Sequence, residues 1–166
     1  MTEHPVYILE REFSAPRDLV WRTWTEPDLL AQWYGPGVET IIHELDVKPG
    51  GRWLNEMKMG ENSGYQKSVY TEVSPPERLV MLMSTTDASW ELAANPRMPD
   101  WPATLLTVVT FEEAGGVTTM RLEWSPHEAT AAEIACFAGA VESLGQGWGA
   151  GMEMLAKVLA EMQAAA

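Results

Sequence analysis

The sequence predicts an α+β fold in which a curved antiparallel sheet wraps around a long C-terminal helix. Three observations predict it: seven segments with strand composition or alternation, no crossover helix between the second and the seventh, and a final apolar stripe at helical spacing. At 166 residues the chain has the size of one domain, able to bury roughly 70% of its extended surface.

The first strand spans 6–13, where Tyr7 and Leu9 alternate with charged neighbours, and Ser14-Ala15-Pro16 stops it. Leu19, Val20, Trp21 and Trp24 then fall at helical spacing over 16–24, and Glu26-Pro27 opens a second short helix through Leu29, Leu30 and Trp33. After the break Tyr34-Gly35-Pro36-Gly37, strands are predicted at 38–47, 51–59, 65–73, 78–85, 104–111 and 117–124. Their separators are turn sequences: Lys48-Pro49-Gly50-Gly51, the five residues 60–64, Ser74-Pro75-Pro76-Glu77 and Glu113-Ala114-Gly115-Gly116. The exception is 86–102, a long loop with three prolines and two Trp that reads as a lid.

From 129 to 162, Ile134, Phe137, Val141, Leu144, Trp148, Met152, Leu155, Leu159 and Met162 follow one another at steps of three or four. That stripe marks one face of a helix ~45 Å long. Gly145, Gly147, Gly149 and Gly151 interrupt it, each costing up to ~1 kcal/mol against alanine. One continuous helix is expected because the stripe keeps phase through them; two helices broken there is the rival reading.

Twenty-four Asp and Glu against eleven Lys and Arg give a formal charge of −13, which repels phosphate backbones and anionic headgroups. Nucleic-acid binding and membrane insertion are therefore not expected, and no apolar run reaches the ~18 residues of a span. The first residues lack a signal peptide's basic and apolar regions, so a cytoplasmic location is expected. The lone Cys136 sits among apolar residues, and His4, His43 and His127 show no ligand spacing, so no metal or cofactor is expected. Eight Trp and ten Met suit either an aromatic core or a pocket wall.

Phe13-Ser14-Ala15-Pro16 with Val20-Trp21 and Trp33, then Asp46-Val47-Lys48-Pro49-Gly50-Gly51-Arg52-Trp53, Tyr70-Thr71-Glu72-Val73-Ser74-Pro75-Pro76-Glu77-Arg78-Leu79 and Gly147-Trp148 succeed one another along the chain. In order and spacing these resemble the START-related SRPBCC superfamily, and within it the bacterial family named for similarity to the activator of a heat-shock-protein ATPase (Aha-like). The resemblance implies a helix-grip fold whose members commonly hold hydrophobic or amphipathic small molecules between sheet and helix, with some relatives catalysing cyclisation or dehydration there. It transfers no catalytic triad. Where relatives often carry glycine before Val69-Tyr70 this chain has Ser68, a change expected to alter how closely strands pack.

Alternation places Trp53, Asn55, Met57 and Met59 on the inner face of the third strand, and Arg52, Leu54, Glu56 and Lys58 outside. The expected cavity wall is Trp53, Asn55 and Met57, with Met81 and Met83, Val109 and Phe111, and Met120, Leu122 and Trp124 from later strands. The helix would add Phe137, Val141, Leu144, Trp148 and Met152. Asn55 either orients a ligand or bonds a neighbouring strand. Trp33, Trp90 and Trp101 are entrance candidates, the two loop residues having anchorage to the surface as their alternative reading.

No titratable constellation stands out: Glu56 and Glu123 read as solvated carboxylates, while His43, Tyr65 and Tyr70 carry no partner signal. The expected function is binding of a hydrophobic small molecule. A polyketide cyclase/dehydratase-like or hydrolase-like enzyme and a co-chaperone-like regulatory module are the alternatives. A homodimer through the outer sheet face is compatible with all three.

Overall fold

A computed structural model describes residues 5–35, 37–95 and 98–165; His4 and Pro36 lie outside them. The strands are β1 (Tyr7–Phe13), β2 (Glu39–Leu45), β3 (Arg52–Met59), β4 (Asn62–Ser74), β5 (Arg78–Thr86), β6 (Thr104–Ala114) and β7 (Val117–Pro126). Two short helices, α1 (Arg17–Thr25) and α2 (Pro27–Trp33), separate β1 from β2, and α3 (Ala131–Ala164) ends the chain. The strands form one curved antiparallel sheet in the order β1-β7-β6-β5-β4-β3-β2, the helix-grip architecture expected from sequence.

Register fixes which side chains face α3. One row across the sheet runs Tyr70, Met81, Thr107, Trp124, Tyr7, and a neighbouring row runs Trp53, Ser68, Met83, Leu105. All nine are buried. The β3–β4 turn is tighter than the sequence suggests: Met59 pairs with Asn62, so Gly60-Glu61 alone makes the hairpin and residues 62–64 join β4.

α3 is a single unbroken helix of 34 residues. Its start is fixed by a capping box in which the Thr130 hydroxyl accepts from the Glu133 N–H and the Glu133 carboxylate accepts from the Thr130 N–H. The four glycines cost it up to ~4 kcal/mol together. Against that, Phe137, Trp148, Met152, Leu155, Val158 and Leu159 are buried on the sheet side, each contributing ~1.5–3 kcal/mol. The stripe wins, and the helix stays whole.

Candidate functional site

α1 and α2 close one end of the space between sheet and helix. Trp24 packs on Trp33 at 4.8 Å and on Phe111 at 6.5 Å, and lies parallel to Trp148 at 6.4 Å. The Trp33 indole N–H donates to the Thr23 carbonyl at 2.9 Å. There the interior is filled: Met81, Val109, Phe111, Met120, Leu122 and Met152 are all buried, as is Phe137 farther toward the start of α3.

Toward the β5–β6 loop the packing opens into two adjoining hollows of about 290 Å³ each. Trp124, Ser143 and Leu144 line both and stand between them. The first hollow is bounded by Gln66, Met83 and Leu105 of the sheet, Ala140 of α3, and Met98 and Trp101 of the loop. The second is bounded by Trp33, Tyr34, Gly35 and Met57 on one side and by Gly147, Trp148 and Gly151 of α3 on the other. The helix glycines supply room here: a Cβ on Gly147 would meet nothing within 4 Å.

Tyr34 is held in place from several directions. Gly35 turns the chain at φ 73, where a Cβ would approach Thr40 Oγ1 to 2.7 Å, and the Thr40 hydroxyl donates to the Tyr34 carbonyl. The Tyr34 ring meets Trp53 at 4.8 Å and Trp148 at 6.2 Å. Its hydroxyl donates to Gln66 Oε1 at 2.9 Å, and burial pushes its pKa far above the ordinary tyrosine value. It stays protonated. Among the described lining residues none is Asp, Glu, His, Lys or Arg.

The inner wall is nonetheless polar in places. Trp53 Nε1, both amide atoms of Asn55, the Tyr70 hydroxyl, Thr107 Oγ1 and Trp124 Nε1 are buried without a hydrogen-bond partner, each a group that normally has one. Of these, Trp124 alone lines the hollows.

The expected site residues therefore divide. Met57, Met83, Trp124, Leu144 and Trp148 line the hollows, as do Trp33 and Trp101. Trp53 and Asn55 lie behind that surface, each 1% exposed, and Val141 packs at the edge of the core. Trp33 is locked by its hydrogen bond, so it is a wall and not a door, whereas Trp101 rests on Phe137 at 5.5 Å beside the loop.

Trp90 takes the second of its two readings, an anchor for the loop and not an entrance cap. It sits on the outer face, its ring edge-on to His43 at 5.3 Å and Tyr65 at 5.5 Å, while Lys67 Nζ donates to its carbonyl at 3.0 Å. The loop doubles back over the end of the sheet. This cover also explains why Leu54 and Glu56, outward by alternation, are only 5% and 9% exposed. Glu56 is no solvated carboxylate: it accepts from Ser63 Oγ at 2.6 Å, and His43 Nε2 lies 2.9 Å from its other oxygen. Hydrogen bonds from Ser63 first and His43 second hold its carboxyl below the usual range. With the carboxylate between the other two, this cluster is not arranged to activate the serine, whose proton faces an acceptor of no further reach.

Sequence reasoning missed Tyr34, Gln66 and Ser143. Gln66 had a signal, since it shares the inward parity of Ser68 and Tyr70 on β4. A third hollow, about 560 Å³, is an apolar notch between Pro16 and Leu19 and the end of α3 at Met162; Arg22, the one cation among its described lining residues, is already paired with Glu26. Among the described residues no cluster of three His, Cys, Asp or Glu could hold a metal, and no helix is long and apolar enough to cross a membrane.

A family model described as Activator of Hsp90 ATPase homolog 1-like protein matches residues 14–160. No curated protein matches the chain in sequence. Among solved structures, a protein from Arthrobacter aurescens is 20% identical with a TM-score of 0.78, over 94% of this chain and 86% of that one. A protein from Staphylococcus epidermidis is 21% identical at TM-score 0.77, over 98% and 93%. Protein Ms6760 from Mycobacterium smegmatis is 20% identical at TM-score 0.75, over 95% and 94%. At these identities the likeness is one of fold.

Proposed function

Because the chain belongs to the Activator of Hsp90 ATPase homolog 1-like protein family, we propose that it binds a hydrophobic or amphipathic small molecule between its sheet and α3. The observation that carries this reading is the pair of adjoining hollows, walled chiefly by Met83, Trp124, Leu144 and Trp148. Apolar concavity with a few fixed polar groups is what small-molecule sites are made of. The reading takes the chain as one domain acting in the cytoplasm.

A cyclase, dehydratase or hydrolase would need an acid or base facing its substrate with a suitable pKa. Tyr34 is the one titratable side chain among the described lining residues, and a hydroxyl kept protonated and bonded to Gln66 suits orientation better than proton transfer. A co-chaperone role rests on the family's name alone.

The test is native mass spectrometry of the protein purified from its own host, followed by titration of its tryptophan fluorescence with lipids and aromatic compounds. A co-purified small molecule, or a saturable change that W148F reduces, is expected. A bare protein mass together with no fluorescence response across the panel overturns the reading.

A further inference from the structure

We infer that the molecule taken between the sheet and α3 has two parts, a flat apolar body in the second hollow and a hydrogen-bonding end in the first, joined past the side chain of Leu144. The inference rests on the binding reading above and adds the form and orientation of the ligand.

The hollows follow one another along α3. Ala140 borders the first, Gly147, Trp148 and Gly151 border the second, and Ser143 and Leu144 border both. From residue 140 to residue 148 a helix rises ~12 Å, which sets the reach of a molecule touching both. Each hollow, about 290 Å³, falls just short of the ~300 Å³ at which small-molecule pockets begin, and the pair falls within their range. The pair together is the size of a site.

Their walls differ. The second hollow combines the rings of Trp33, Tyr34 and Trp148 with Gly147 and Gly151, which carry no side chain, a surface suited to a flat apolar body. The first places Gln66 and Thr85 side by side, as register partners on β4 and β5. Gln66 Oε1 already accepts the Tyr34 proton, so its amide offers a ligand its N–H groups, and the Thr85 hydroxyl can donate or accept. Both residues are half-buried, and neither polar group is among the enclosed, unpartnered ones of the inner wall. An end group with a carbonyl and an N–H or O–H matches the two.

Leu144 decides whether the hollows act as one. Of the three residues they share, Trp124 is fixed by ring contacts with Tyr7 and Trp148, and Ser143 is small, its hydroxyl donating to the Ala140 carbonyl. Leu144 is half-buried and has no polar group to tie it, so a change of rotamer there is the easiest way to open the partition. It is the side chain that determines which ligand lengths are admitted.

The experiment compares 4-(2-naphthyl)butanamide, which has both parts, with 2-ethylnaphthalene, which has the body alone, by calorimetry and by shift mapping in nitrogen-correlated NMR spectra. The amide is expected to bind about tenfold more tightly, from its longer chain and its paired end group. It should move the signals of Gly147, Thr85 and the Gln66 side chain together, and the hydrocarbon that of Gly147 alone. The ratio of the two affinities is read within each variant, so that a general loss of fold affects both compounds alike. Thr85→Val should lower the ratio about fivefold, as one hydrogen bond lost, and Leu144→Phe, which thickens the partition, should bring it close to one. A ratio near one in the wild type, amide-induced shifts confined to one hollow, or a ratio that either substitution leaves unchanged overturns the inference and leaves the cavity reading standing. Failure of both compounds to bind removes the cavity reading, and this inference with it.

Discussion

The indoles of Trp124 and Trp148 meet edge to face, centroids 5.1 Å apart and planes inclined 79°, where β7 faces the middle of α3. Trp148 in turn lies parallel to Trp24, so three tryptophans from a strand and two helices form a continuous wall. Along it Trp124 stands between the two hollows, Trp148 borders the second, and Trp24 belongs to the filled end. Edge-to-face pairs contribute ~0.5–1.5 kcal/mol beyond the area they bury, and they fix ring orientation, which keeps the adjacent hollows from collapsing.

Replacing Trp148 by alanine removes contacts to Trp24, Tyr34 and Trp124 together. A loss of about 3–5 kcal/mol is expected, typical of an aromatic residue truncated in a core, read as a lower urea midpoint. Trp148→Phe keeps a ring against the same neighbours and should lose visibly less.

Gly147 behaves in the opposite sense. It is inside α3, lines the second hollow, and has free space where a Cβ would stand. Gly147→Ala should therefore raise stability by ~0.5–1 kcal/mol through helix propensity. The same methyl intrudes on the hollow, so a ligand that fills it should bind more weakly to the variant as its Tm rises. A stabilised variant with undiminished affinity would place the ligand elsewhere.

The helix was legible because its signal is periodic: a stripe at steps of three and four survives four glycines, and burial of that stripe outweighs their cost. Strand faces were legible for the same reason, and Trp53 and Asn55 point inward as alternation requires. Alternation says which face a residue is on, not whether that face is covered, so Glu56 and Leu54 read as exposed. Their cover is the loop carrying Trp90, and a loop's path is set by contacts distant in sequence, here His43, Tyr65 and Lys67. Nor could periodicity separate Met83, beside a hollow, from Met81 two residues away in solid core. That difference depends on where α1 and α2 stop filling the space.

Trp90 holds a backbone conformation at φ 65 that a bulky residue rarely adopts, and its ring contacts and the Lys67 bond pin it there. Trp90→Ala removes the ring from His43 and Tyr65 and should free the loop. Faster proteolytic cleavage and faster amide exchange over 87–95 are expected, with exchange in β5 and β6 unchanged. Because Asn95, Met98 and Trp101 border the first hollow, ligand on-rates should rise with it. Equal cleavage rates in variant and wild type would mean that the turn held by Asp87, which accepts from the Ser89 and Glu91 N–H groups, anchors the loop by itself.

Glu133 joins the start of α3 to the end of that loop. One carboxylate oxygen accepts from the Thr130 N–H at 3.0 Å and the other from the Ala103 N–H at 2.6 Å. These bonds, Thr130 first and Ala103 second, lower its pKa. An unfolded glutamate titrates near ~4.3, so the stabilisation is complete above about that pH and is lost as pH falls through the lower folded value. Glu133→Gln keeps the shape but removes the charge, and should cost about 1 kcal/mol near neutrality, in the range of a lost helix cap. Denaturation midpoints of the two proteins should then converge as the pH falls below about 4, because the wild-type carboxyl becomes neutral too. Glu56 titrates in the same direction in both proteins and cancels in the difference. A gap that stays constant down to acid pH would show that the hydrogen-bond geometry, and not the charge, secures the helix start.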